Sequence, residues 1–94
     1  KMSKEKYSFE LRRGFNLEDH FTATFEEARQ RGDRLASRLG RTRLYAYNDK
    51  LLQWEMLGTF LGHMRYVNKW GDMCIITSDY SGLVEATKAK EEAK

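Results

Sequence analysis

Only one stretch of this sequence, Thr24 to Leu39, spaces its apolar residues as a helix does; most of the remaining periodic sequence alternates every second residue. Phe25, Ala28, Gly32, Leu35, Ala36 and Leu39 recur at about 100° per residue and therefore share one side of a helix. Thr24 and Glu27 form a T-x-x-E pattern, which offers a hydroxyl and a carboxylate to the unpaired amides of a helix start. Gly40 stands where a left-handed cap would end the helix. Gly32 costs a helix interior about 1 kcal/mol relative to Ala, so its place on the apolar stripe reads as a notch for close approach to a sheet.

The flanking segments read as strands. Tyr7, Phe9 and Leu11 alternate with Ser8, Glu10 and Arg12, which predicts a strand over Lys6 to Arg13 with one buried face. Gly14 to Asp19 reads as a connection and His20 to Ala23 as a short return strand. After the helix, Arg43 to Tyr47, a tight turn at Asn48-Asp49-Lys50 and Leu51 to Phe60 predict a second hairpin. His63 to Val67, a turn over Asn68 to Asp72, and Met73 to Thr77 predict a further strand, turn and strand. Ser78 to Gly82 breaks the pattern, and the Ala-, Lys- and Glu-rich stretch from Leu83 to Lys94 predicts a frayed helix. The expected fold is α+β, in the order β-β-α-β-β-β, with one helix on an antiparallel sheet of four or five strands. Residues 1–6 are expected to be a disordered lead-in, residues 7–84 the domain, and residues 85–94 a charged tail.

One helix cannot roof such a sheet. A helix is about 10 Å wide and strands lie about 4.8 Å apart, so it covers two or three of them. Within the expected strand from Leu51, the residues Leu52, Trp54 and Met56 point to one face and Leu51 and Leu57 to the other. Both faces thus need cover, and a second copy in a two-fold homodimer is the simplest source of it.

A chain of 94 residues with 40% hydrophobic and 33% charged residues fits one globular domain and excludes a wholly disordered one. The longest apolar run is too short to cross a bilayer. A single cysteine and the lack of an apolar leader lead us to expect a cytoplasmic location, and Lys1 before Met2 reads as a remnant of cloning. The net charge of +3 comes mostly from residues 1–6, which carry +2, since residues 7–84 carry only +1 and residues 85–94 sum to zero. Inside that body the charge is polarised: residues 15–28 hold four acids, and residues 29–43 hold six arginines against the single Asp33.

Arg31, Arg34 and Arg38 share the helix side opposite the apolar stripe, and Arg41 and Arg43 follow the helix end. Five guanidiniums there predict a ridge able to fork onto phosphates or carboxylates, unless they are simply a solvated face with cations at a helix C-terminus. Tyr45, Tyr47, Trp54, Tyr66 and Trp70 crowd the second half of the chain, and Trp70 beside Gly71 in a turn is the expected exposed anchor. The two histidines, His20 and His63, have no carboxylates organised around them at metal-ligand spacing, and Cys74 lies in an apolar strand where an inert thiol is expected. No nucleophile elbow or phosphate-binding glycine loop is present, so neither an enzyme nor a cofactor is expected.

Two functions fit these residues. The first is a small non-enzymatic protein-binding domain, an inhibitor or adaptor of phage or mobile-element type, using Arg31, Arg34, Arg38, Arg41, Arg43, Tyr45, Tyr47 and Trp70 on a partner protein. The phage likeness is one of style alone, since short motif-free chains often block host machinery. The second is a nucleic-acid-binding module with the same arginines on phosphates and Tyr45 or Tyr47 against bases.

Overall fold

The computed structural model describes residues 5–85, and in it the helix forms as its sequence dictates. Two strands come first, β1 (Tyr7–Arg13) and β2 (Asn16–Ala23), followed by α1 (Phe25–Leu39). Thr24 Oγ1 accepts from the Glu27 amide at 3.2 Å, and Glu27 Oε1 accepts from the Thr24 amide at 2.9 Å, closing the capping box. At the other end Gly40 takes φ 98° and donates its amide to the Ala36 carbonyl at 2.8 Å. Then come β3 (Thr42–Asn48), β4 (Gln53–Gly62), β5 (Arg65–Asn68), β6 (Met73–Ile76) and β7 (Leu83–Glu85).

All seven strands join one antiparallel sheet in the order β2-β1-β3-β4-β5-β6-β7. α1 carries the chain from β2 over β1 to β3, so β1 is paired on both sides. The helix packs on β1 to β4, chiefly on β4 and β3. Phe9, Leu11, Leu44 and Phe60 form the middle of the core with no more than 2% of their surface exposed. The notch at Gly32 is real: a Cβ there would lie 2.7 Å from Cζ of Phe60, closer than any side chain tolerates.

Asp33 locks the helix to the far half of the sheet. It is buried, yet its carboxylate accepts from the Met64 amide at 2.8 Å and from the Tyr80 hydroxyl at 3.1 Å. One side chain thereby ties α1 to both the β4–β5 turn and the β6–β7 turn.

The sheet has seven strands where four or five were expected: all six segments read as strands join one ladder, β7 adds a seventh, and β2 is longer than expected. β2 starts at Asn16 rather than His20, because Gly14 at φ 60° turns the chain at once. The pairing register shifts between Leu11 and Arg12, which lets an irregular segment read as loop join the ladder. β7 replaces the start of the expected C-terminal helix. There, Asp79 accepts from Thr77 Oγ1 at 2.8 Å and from the Ser81 amide at 3.0 Å, and this turn brings Leu83–Glu85 back beside β6. The remainder of that expected helix, like the first four residues of the expected disordered lead-in, lies outside the described residues. Leu51 and Leu52 are also not strand residues: they belong to the β3–β4 turn, both exposed, with Leu52 at φ 53°.

Candidate functional site

Two surfaces remain open once the helix has docked. The first is a groove on the helix side of the sheet, beside the N-terminal half of α1. Its volume is about 430 Å³, within the usual range for ligand sites. Phe25 and Arg29 of the helix wall one side, Leu44, Leu57 and Tyr66 form the inner floor, and Cys74, Leu83 and Glu85 extend it to the sheet edge. Trp70 and Lys69 stand at the rim.

Leu57 reaches this floor through a bulge. Leu44 pairs with Gly58 and Tyr45 with Met56, so Leu57 is the extra residue and turns toward the core. Tyr66 lies flat over Gly58, whose missing side chain makes room for the ring and hydroxyl. Burial pushes the Tyr66 hydroxyl up to about 12, so it remains protonated at any physiological pH. Burial also pushes the Cys74 thiol above its ordinary value, with the charges of Glu85 and Asp72 adding to the effect.

Trp70 is held outward by an ordered turn. Asn68 Oδ1 accepts from the amides of Trp70 at 3.0 Å and Asp72 at 2.9 Å, and Gly71 at φ 91° completes the reversal. The indole is 75% exposed, with Lys69 Nζ 4.9 Å from its centroid. A large apolar side chain fixed in water on a hydrogen-bonded turn is the geometry of a docking anchor.

Arg29 is the groove's half-buried cation. It donates from Nε to the Tyr80 carbonyl at 3.3 Å, and burial lowers its pKa while the charge of Glu26 opposes that shift. Neither Arg29 nor Lys69 has an ion-pair partner among the described residues.

The second surface is the sheet face away from the helix. Register places Glu10, Arg12, Arg43 and Tyr45 there, opposite in parity to the buried Leu11 and Leu44. Arg12 lies over the Tyr45 ring at 4.0 Å and donates from Nε to Glu10 at 2.8 Å. Tyr47, Trp54 and His20 continue edge to face, with centroids 5.3 and 5.7 Å apart. The other half of this face carries Ile75 and Val84, about half exposed, with the exposed Arg65 paired beside Ile75.

The structure thus separates residues that the sequence grouped. Arg31 is bound to Asp19 at 2.7 Å and lies over Phe21 at 4.1 Å. Arg34 and Arg38 flank a shallow recess with Asp33, Ser37 and Tyr80. Arg41 is exposed between α1 and β3, and Arg43 is on the opposite sheet face with Tyr45 and Tyr47. The five guanidiniums therefore form no single ridge, because the sheet stands between Arg43 and the helix. Trp70 was expected at the surface and is there, but on the helix side rather than beside the tyrosines.

Sequence reasoning missed Phe25, Arg29, Leu57 and Leu83 as groove residues. Only the Lys69-Trp70 pair carried a local signal, as a cation and an indole in a turn. Among the described residues, no three His, Cys, Asp or Glu side chains gather as a metal site, and no helix is long and apolar enough to cross a membrane. No family model, curated protein or solved structure matches the chain.

Proposed function

We propose that this protein is a non-enzymatic protein-binding domain whose binding site is the groove beside α1, with Trp70 as the anchor. One observation carries the reading: an apolar, open groove is edged by an indole that an ordered turn holds 75% in solvent. An apolar floor, an exposed indole and two cations, Arg29 and Lys69, with no ion-pair partner among the described residues are the ingredients of a protein interface core and its border. A pull-down from lysate of the source organism or its host should retain a stoichiometric partner on the wild type and lose it on Trp70→Ala. Circular dichroism establishes that the variant is folded. Identical protein sets on both would remove the groove from the interface.

The opposite sheet face completes the proposal as the contact between two copies. Ile75 and Val84, 46% and 50% exposed, are edge-proximal aliphatics that a two-fold contact would bury. Light scattering at tens of micromolar is expected to give a dimer, and a single-chain mass there would remove this contact.

A second reading rests on the other half of that face, where Arg12 stacks on Tyr45 and Arg43 is its neighbour. Single-stranded nucleic acid is gripped by such pairs of cation and ring. Its affinity would fall steeply with salt, whereas occupancy of the groove would respond weakly. Absence of binding to mixed-sequence DNA and RNA at low salt eliminates it.

A further inference from the structure

We infer that the occupant of the groove is an amphipathic α-helix of the partner, lying beside α1 as a second helix on the sheet, with an acidic residue next to its apolar stripe. The inference rests on the proposed protein-binding reading and specifies what that reading leaves open.

The direction of the groove carries the first part. Its floor runs from Leu44 and Leu57 on β3 and β4 to Leu83 and Glu85 on β7, across five neighbouring strands. Strands lie about 4.8 Å apart, so β4 to β7 is about 14 Å. A peptide added as a strand beside β7 would touch Leu83 and leave Leu57 out of reach. An occupant that meets both ends must lie on the sheet's face rather than at its edge.

Spacing carries the second. α1 packs chiefly on β4 and β3, with Phe60 of β4 directly beneath Gly32. Packed helices keep axes about 8–10 Å apart, and two strand spacings are about 9.6 Å. A second helix beside α1 would therefore be centred near β6 and meet Cys74 and Leu83. The β6–β7 turn, bonded through Tyr80 to Asp33 and Arg29, already occupies the space beside the middle of α1. The N-terminal half is what stays open, bounded by Trp70.

Charge gives the third. The groove's lining carries two cations, Arg29 and Lys69, against one acid, Glu85, and neither cation has an ion-pair partner among the described residues, while Glu26 beside the groove also acts on Arg29. A carboxylate on the incoming helix complements that excess.

The test is selection of peptides on the full-length protein from two display libraries, one patterned with apolar residues at i, i+3, i+4 and i+7, the other patterned in alternation. The expected result is enrichment from the helical library of sequences bearing Asp or Glu. Their amide shift changes should centre on Trp70, Cys74 and Leu83, and peptide circular dichroism should gain helix on binding. Lys69→Glu should weaken an acidic peptide about tenfold, and a Lys-for-Glu change in the peptide should restore it. Enrichment of alternating sequences at the same groove overturns the helical occupant and keeps the groove as the binding site. Shifts confined to the opposite sheet face, or no binder from either library, overturn the groove itself. Contacts in the free chain between the alanines of residues 86–93 and Leu57 or Trp70 would overturn the inference in favour of the chain's own C-terminal segment.

Discussion

The ring of Phe60 occupies the space that a side chain at Gly32 would need, with Cζ 2.7 Å from the position of a Cβ. Helix and sheet meet there at backbone distance, and this contact fixes how far α1 reaches toward β5. Gly32→Ala gains about 1 kcal/mol of helix propensity. It also forces a fully buried ring to move, and overpacking of that kind costs about 1–3 kcal/mol. We expect a net loss of about 1 kcal/mol in urea unfolding, with part of it recovered by pairing Gly32→Ala with Phe60→Leu. A variant as stable as the wild type would show that the notch is not a packing requirement.

The β4–β5 turn stores backbone strain that can be relieved. His63 and Met64 both take positive φ, 55° and 69°, in a position where Asn and Gly are the usual residues. Met64 packs on the core, but the His63 side chain is exposed and, among the described residues, His63 hydrogen-bonds only through its amide, which donates to Ser37 Oγ at 2.9 Å. His63→Asn keeps that amide and tolerates the left-handed region better, so thermal unfolding should show a gain of about 0.5–1 kcal/mol. An unchanged or lower melting temperature would contradict it.

Asp79 makes the β6–β7 turn acid-sensitive. Hydrogen bonds from Ser81 and Thr77 hold its carboxyl down to about 2, from an ordinary value of 3.8. The ionised form is favoured by folding, so its contribution is complete above the ordinary value and fades as pH falls toward 2. Because the turn closes the edge strand, the effect is local. Amides of Leu83 to Glu85, corrected for intrinsic rates, should lose protection between pH 4.5 and 2, and Asp79→Asn should remove that pH dependence. Equal protection at both pH values would show that the turn does not depend on the charge.

Cys74 reports on the groove without being reactive. Its residue is 4% exposed and burial holds the thiol protonated, so iodoacetamide at pH 7.5 should label it at least about tenfold more slowly in the native chain than in urea. Labelling at equal rates, followed by mass spectrometry, would mean that the groove floor opens freely. A bound peptide in the groove should slow labelling further.

How much of this was legible depends on the range of the interaction that decides each feature. The helix limits, the Thr24–Glu27 box, the Gly40 stop and the Gly32 notch all followed from residues within a few positions of one another. So did the central stretches of β1 and β3, whose alternation is unbroken. Trp70 was legible as an exposed side chain because its turn is local.

The remainder was decided by tertiary structure. Pairing with β1 drew Asn16 to Asp19 into β2, and the reversal at Asp79 made β7 out of a segment that composition alone reads as helical. One extra residue at Leu57 sent its side chain to the helix side, and strand parity put Arg43, Tyr45 and Tyr47 on the other. Sequence by itself set the local conformations, since capping, periodicity and turn chemistry act over a few residues. Which side chains share a surface was left to strand register and bulges, because a shift of one residue in a ladder exchanges every side chain between the two faces.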